Sequence, residues 1–288
     1  MTDSRKISAK TKVCAVIGNP VEHSLSPAIH NAAFEALGLD YAYVAFGVED
    51  IAAAIGGVRA LNNFRGLSVT IPHKVSIMEH LDEIDEVARN IGSVNTVVKD
   101  GDVLRGSSSD GPGALKALRD CGADPAGKPI LILGSGGAAR AIAFTLATME
   151  NPPSISMLGV IPDELDALAH DLRDKTPATI TSGPLDDESL KKGVSETGII
   201  IHCTPIGMHP KTDATLVPAG LLRPDHVVFD IVYNPRETRL LREARAAGCR
   251  IVQGLEMFVN QAVVQFELWT GETAPTDVMR KIVEDSLK

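Results

Sequence analysis

The sequence predicts an α/β protein of two domains, each a sheet with helices on its faces. Three observations carry that reading. Short apolar runs of strand length alternate with segments of helical apolar spacing along the whole 288-residue chain. One such series opens at Val13, and a second opens at Lys128, where strand, glycine-rich turn and helix follow one another. A chain of this length has room for two cores, and neither an internal repeat nor a low-complexity tract interrupts the alternation.

Taken in order, Val13 to Gly18 reads as a buried strand, and Pro27 to Leu37 as a helix stopped by Gly38. Tyr41 to Phe46 is the next strand, Ile51 to Leu61 a helix, and Gly66 to Ile71 a third strand. An acidic helical stretch follows from Leu81 to Asn90, then a strand-like run from Ser93 to Val98. In the second series Pro129 to Leu133 is a strand and Ala138 to Met149 its helix. Ile155 to Leu158, Gly198 to Cys203 and Val227 to Val232 are further buried strands. Phe258 to Trp269 and Thr276 to Leu287 close the chain as helices. The expected division is a mostly parallel first domain over 1–111, completed by the terminal helices of 256–288, and a second domain over 112–255.

Composition removes several function classes. With 44% hydrophobic and 23% charged residues the chain is ordinary for a soluble globular protein. A net charge of −9 argues against a nucleic-acid surface. The four cysteines, Cys14, Cys121, Cys203 and Cys249, are scattered and form no C-x-x-C pair, which fits free thiols in a reducing cytoplasm. The first twelve residues, polar and basic, lack the apolar segment of a secretory signal. No apolar run approaches the length of a membrane span. His23, His30 and His73 lack metal-ligand spacing, so no metal site is expected.

The chemistry concentrates in a few motifs. Lys74 closes the run G-L-S-V-T-I-P-H-K, and Asp110 follows in R-G-S-S-S-D-G. A lysine can give or take a proton at an alcohol or carbonyl when burial and neighbours tune it. Just beyond lies L-I-L-G-S-G-G-A-A-R, whose Gly134, Gly136 and Ala139 fit G-x-G-x-x-A between a strand and a helix. Glycines there let the backbone approach a pyrophosphate, whose charge meets free N–H groups at the helix start; a tight turn serving close packing is the plainer alternative. Lysine, carboxylate and dinucleotide loop together suggest proton transfer coupled to hydride transfer, which only a cofactor can perform. Ser24 and Ser26, in G-N-P-V-E-H-S-L-S-P, sit where α/β sheets place ligands, although Ser26 before Pro27 also reads as a helix N-cap. Asn95 and Thr96 form a similar polar pair at a strand end. After Ile155 to Leu158 no cation is available for a 2′-phosphate; Asp163 and Glu164 suit ribose hydroxyls, or are plain first-turn acids.

The ordered set G-N-P-x-x-H-S-L-S-P, V-T-I-P-H-K, I-G-S-V-N-T, S-D-G-x-G, G-S-G-G-A-A-R, T-P-I-G-M, D-I-V-Y-N-P and G-L-E-M-F-V-N-Q resembles the shikimate/quinate dehydrogenase family over residues 13 to about 271. The resemblance implies a substrate domain completed by C-terminal helices, a Rossmann-type dinucleotide-binding domain, and an active site in the cleft. It implies reversible hydride transfer between a nicotinamide and a ring hydroxyl of a small ring carboxylate, shikimate or quinate, within aromatic amino acid biosynthesis. Lys74 would be the proton-transferring residue and Asp110 its partner. Ser24 and Ser26 would hold the substrate carboxylate, with Thr70, Asn95 and Gln261 addressing hydroxyls and carboxylate, and Tyr233 lining the substrate end. Gly134, Ser135, Gly136, Gly137 and Ala138 would carry the pyrophosphate, with Thr204, Ile231 and Gly254 beside the nicotinamide. The expected assembly is a monomer or homodimer.

Four departures from the family pattern stand out. Ser108 and Ser109 replace the N-T of N-T-D, and Ser68 stands where most shikimate enzymes carry asparagine. Gly159, Val160 and Ile161 replace the N-R-T clamp, which favours NAD over NADP. His202 replaces the asparagine of N-A-T-P, more simply a structural exchange than a new catalyst. A paralogue acting on a related ring acid, such as an aminated one, and a non-catalytic metabolite sensor are the competing readings.

Overall fold

The computed structural model describes residues 7–150 and 152–287; the beginning of the polar N-terminal stretch, Met1 to Lys6, lies outside the described residues. The chain divides into two compact units, one comprising the chain to Ser109 together with Gln261–Ser286, the other Asp110–Asn260.

In the first unit the elements are β1 (Lys12–Gly18), α1 (Ser26–Ala36), β2 (Tyr41–Gly47), α2 (Ile51–Ala60), β3 (Phe64–Val69), a 3₁₀ turn (Ser76–His80), β4 (Glu83–Ile84), α3 (Glu86–Ile91), β5 (Thr96–Asp100) and β6 (Val103–Ser107). Their sheet has the order β2-β1-β3-β5-β6-β4. The first three strands are parallel; β5 runs antiparallel to β3, and β6 antiparallel to β5. Strand β1 is apolar on both faces because both are covered. Ala15 and Ile17 pack with Ile55, Val58, Leu67 and Val69, while the alternate residues Cys14 and Val16 are also buried.

The second unit holds α4 (Asp110–Asp120), β7 (Ile130–Leu133), α5 (Gly137–Met149), β8 (Ile155–Gly159), α6 (Pro162–Lys175), β9 (Ile180–Pro184), α7 (Asp187–Glu196), β10 (Ile199–His202), β11 (Val227–Asp230), α8 (Arg239–Ala246) and β12 (Arg250–Gln253). Its sheet is parallel throughout, in the order β12-β11-β10-β7-β8-β9. Numbered from its own first strand this is 6-5-4-1-2-3, the doubly wound arrangement. Successive connections leave β7 in opposite directions, so a crevice opens beyond the carboxyl ends of β7 and β10. Helix α9 (Gly254–Thr270) and α10 (Thr276–Ser286) end the chain; α10 packs on α1.

Three expectations are corrected. The helix expected over Leu81 to Asn90 is confined to α3, preceded by the short strand β4. The cause is the pair of aspartates. Asp82 accepts from the Leu104 N–H at 2.7 Å and from both guanidinium nitrogens of Arg59 at 2.8 and 3.0 Å, holding that segment extended against β6. Asp85 then caps α3, accepting from the Ala88 N–H at 2.6 Å. The strand expected from Ser93 begins only at Thr96, and the helix expected from Phe258 begins at Gly254. Strands β6, β9 and β12 escape periodicity because they are short and carry polar residues; the Asp100-Gly101 dipeptide was the overlooked turn signal between β5 and β6.

Part of α9 lies over the sheet of the first unit. The Trp269 indole N–H donates to the Val97 carbonyl at 3.0 Å, and the Tyr41 hydroxyl donates to the Trp269 carbonyl at 3.3 Å. Between them sits His30, fully buried. Its ring stacks on Tyr43 with centroids 4.5 Å apart, and Trp269 and Phe34 close the cage at 5.1 and 6.3 Å. Burial pushes the imidazole down to about 3, opposed by the Gln265 side chain, so the folded protein holds it neutral. An unfolded chain takes up the proton at pH values below 6.5. Stability from this group is therefore full above that value and is lost as pH falls toward the folded pKa. We expect His30→Phe to lose less melting temperature than the wild type between neutral pH and about pH 5. Parallel pH profiles for the two proteins in thermal melts would contradict the assignment.

Candidate active site

The first unit gathers polar side chains where the carboxyl end of β3, the start of β5 and the end of β6 meet, with Thr96 paired to both Ser68 and Ser107. The Tyr43 hydroxyl donates to Ser68 Oγ at 2.6 Å, and Ser68 donates to Gln265 Oε1 at 2.7 Å. The Gln265 amide donates onward to the Asn95 carbonyl at 3.2 Å and to Thr96 Oγ1 at 3.0 Å. Thr96 then donates to Asn95 Oδ1 at 2.7 Å, and the Ser109 N–H donates to the same oxygen at 2.8 Å. With its oxygen held twice, the Asn95 side chain is fixed with its NH2 group as donor. Ser109 Oγ lies 3.4 Å from Gln261 Oε1, so Asn95 and Gln261 belong to one connected cluster. Burial pushes the Tyr43 phenol up, and its hydrogen bond with Ser68 draws it back.

Around this cluster lie the other expected residues. Ser26 is not the N-cap: α1 begins at Ser26, Leu25 occupies the cap, and no side chain caps it. Pro27 accounts for this, since a helix start without that N–H has one donor fewer to satisfy. The Ser24 hydroxyl accepts from the Ser26 N–H at 3.3 Å, and the buried Ser26 neighbours the Tyr43 hydroxyl. Thr70 follows β3, its N–H bonded to the Ile17 carbonyl at 2.9 Å. The turn carrying Lys74 is anchored on either side. His73, buried, bonds through Nε2 to the Val48 carbonyl at 2.7 Å, and the Lys74 carbonyl accepts from the Val94 N–H at 2.8 Å, one residue from Asn95. Tyr43 and Gln265 were not among the candidates the sequence offered, and Ser109 stood out only as a departure from the family pattern, not as a bonding partner of Asn95. Gln265 stands four residues after Gln261, on the same helix face, which was the available signal.

In the second unit the glycine loop leaves β7 at the crevice. Gly134 has φ +112°, and a Cβ there would come within 2.9 Å of the Cys203 carbonyl and 3.1 Å of the Thr204 methyl. Gly136 caps α5 without a side-chain bond, and Cβ atoms at Gly136 and Gly137 would meet nothing within 4 Å. A turn closed on its sheet side and open on its outer side, with first-turn N–H groups beside it, suits a pyrophosphate. Ser135 Oγ lies 3.4 Å from Glu164 Oε2, which brings the first-turn acid of α6 to the loop. At the ends of β10 and β11, His202 and Asp230 are both buried and their side chains bond at 2.9 Å. Gly254 starts α9 against the backbone of Ile231 and Val232, where any side chain would collide. Tyr233 stacks on Phe258 with centroids 4.8 Å apart. Lys74 falls in the first unit and Asp110 in the second. Among the described residues no cluster of acids, histidines or cysteines is arranged to hold a metal, and no helix is long and apolar enough to cross a membrane.

Fold and loop together define a two-unit α/β protein whose second unit is of the Rossmann dinucleotide-binding class. Residues 16–97 match the model of the shikimate dehydrogenase substrate binding domain, and residues 254–284 that of the shikimate 5'-dehydrogenase C-terminal domain. The chain is 42% identical to the shikimate dehydrogenase (NADP(+)) of Moorella thermoacetica, over 98% of its own length and 96% of that protein's. It is 44% identical to the enzyme of the same name from Methanopyrus kandleri, over the full length of both. Shikimate 5-dehydrogenase from Listeria monocytogenes, solved with shikimate and NAD, superposes with a TM-score of 0.93 at 38% identity, covering 96% of this chain and 98% of that one. The chain belongs to the shikimate dehydrogenase family.

The Tyr43–Ser68–Gln265 chain of hydrogen bonds is buried, so breaking it leaves polar atoms without water to replace the lost partner. Ser68→Ala is expected to cost about 1–3 kcal/mol of stability. A chemical denaturation midpoint unchanged from wild type would show that the chain contributes nothing.

Proposed function

We propose that this protein interconverts shikimate and its 3-keto form by hydride transfer to and from a nicotinamide dinucleotide. The observation that carries the reading is the cluster of hydroxyl and amide side chains around Asn95, set in a turn system whose next member is Lys74. Neutral directional groups of this kind match a ring bearing several hydroxyls and a carboxylate. They discriminate strongly, because an analogue lacking one hydroxyl leaves a buried partner unpaired. Ser24 and Ser26 hold the carboxylate; Thr70, Asn95 and Gln261 address the hydroxyls and carboxylate, and Tyr233 lines the substrate end. Lys74 moves the proton at the reacting oxygen, with Asp110 as its charge partner. Gly134 to Ala138 carry the pyrophosphate, with Thr204, Ile231 and Gly254 along the nicotinamide side. The bound cofactor supplies the hydride chemistry that side chains cannot.

The cofactor we propose is NAD in preference to NADP, although the named relatives from Moorella and Methanopyrus are NADP(+) enzymes. Two features support this. The turn from Gly159 to Glu164 contains no lysine or arginine, and the side chain at the middle of the missing clamp is Val160, 75% exposed. Glu164, drawn to the loop by Ser135, puts a carboxylate where a 2′-phosphate would meet like charge.

Initial rates with shikimate and with quinate, each with NAD and NADP, test the whole reading. Turnover is expected to be fastest with shikimate and NAD; silence in all four combinations would refute it. Lys74→Ala should lower turnover about 10²–10⁴-fold, the usual worth of a positioned acid–base group, while calorimetry still detects shikimate binding. Loss of binding together with rate would give Lys74 a holding role instead. The double change Val160→Arg with Glu164→Ser is expected to shift the kcat/KM ratio of the two cofactors toward NADP by at least about tenfold, given the charge reversal beside a phosphate. An unmoved ratio would remove this turn from cofactor selection.

A further inference from the structure

Beyond the loop itself, the second unit contains two side chains, His202 and Asp230, that the reaction as described does not use and that lead to Thr204. His202 and Asp230 are register partners at the carboxyl ends of β10 and β11, both fully enclosed. The Asp230 carboxylate is an acceptor on every side. It takes the Val232 N–H at 3.0 Å and the Thr238 hydroxyl at 2.6 Å, and Oδ1 lies 2.9 Å from His202 Nδ1. With the Asp230 carboxylate as acceptor, Nδ1 carries a hydrogen, and the tautomer taken here leaves Nε2 bare. Nε2 is then the acceptor, and it lies 2.6 Å from Thr204 Oγ1, so the threonine hydroxyl must donate to it. Thr204 Oγ1 also accepts from the Ile206 N–H at 3.2 Å. Its methyl group lies against Gly134, the first glycine of the loop. Hydroxyl and methyl are thereby both committed, and the rotamer of Thr204 is set from behind.

We infer that His202 is a positioning residue, oriented by Asp230, that holds Thr204 Oγ1 as a fixed hydrogen-bond acceptor for a donor on the nicotinamide half of the dinucleotide. With its own hydrogen given to the imidazole and one lone pair given to Ile206, the oxygen has one acceptor site left. The complementary ligand group is a hydrogen-bond donor, either a hydroxyl of the second ribose or the carboxamide NH2. An ordinary threonine rotates between donating and accepting; this one cannot donate elsewhere without breaking the bond to Nε2. The inference rests on the reading that Thr204 lies beside the nicotinamide half.

Calorimetric titration of the full-length protein with ADP, ADP-ribose and NADH tests it directly. His202→Asn keeps an N–H for Asp230 in place of Nδ1 but has no acceptor in place of Nε2. Thr204→Val keeps the methyl contact with Gly134 and removes the hydroxyl, and it carries the test alone should the histidine variant not fold. Each is expected to weaken NADH binding about three- to tenfold, one hydrogen bond's worth, and to leave ADP unchanged. If ADP-ribose weakens in step with NADH, the donor is the ribose; if it does not, the donor is the carboxamide. The double variant should lose no more than the worse single one, since both remove the same contact. Equal weakening of ADP and NADH, no effect on NADH, or additive losses in the double variant would overturn the inference. A wild-type protein that binds none of the three probes would bring down the dinucleotide reading itself.

Discussion

A parallel strand covered on both faces has no solvent side, so polar chemistry survives in these sheets only where the strands end. That constraint organises both units. Ser24 and Ser26 follow β1; Thr70 and Lys74 follow β3. In the second sheet Gly134 follows β7, Glu164 follows β8, Thr204 follows β10, Tyr233 follows β11 and Gly254 follows β12. Along the central strands β7, β10 and β11 the residues before those ends are Ile, Leu, Val and Phe, all buried. Because the order of the second sheet reverses at β7 and β10, the loops leaving those two strands part and leave the backbone N–H groups of the glycine turn uncovered.

Asn95 and Thr96 look like exceptions, since they open β5 instead of closing it. They are not, because β5 is antiparallel to β3 and its first residue lies at β3's carboxyl end. The reversal brings amide and hydroxyl groups from β5, β6 and α9 to the same edge as Ser68. Burial then acts on the cluster as a whole. Every group in it is held by another, so each is fixed in both position and donor or acceptor sense, which is what recognition of several ring hydroxyls needs.

The same logic distinguishes the histidines. His30 is buried in an aromatic cage and kept neutral by desolvation. His73 is an anchor, bonding one backbone carbonyl beside Lys74. His202 is buried against a carboxylate, with its second nitrogen turned to Thr204 at the crevice. Spacing along the chain treats the three alike; only their partners separate a cage, an anchor and a positioning group.

The alternation of strand and helix, the glycine loop and the motif order were all legible in the sequence, because strand burial, helix amphipathicity and tight turns are written in local residue choice. Of the residues the motifs offered, Asn95 and Gln261 are brought into one hydrogen-bonded cluster by the fold. Local pattern misled where a side chain found a distant partner: Asp82 held Leu81 and its neighbours out of a helix by bonding Leu104 and Arg59. It was silent on Tyr43 and Gln265, and on the bonds that join Ser109 to Asn95 and Asp230 to His202 and Thr204. Tertiary structure alone decided these, because a hydrogen bond requires two groups within about 3 Å, and the register of a sheet, not the spacing of a sequence, sets which groups meet.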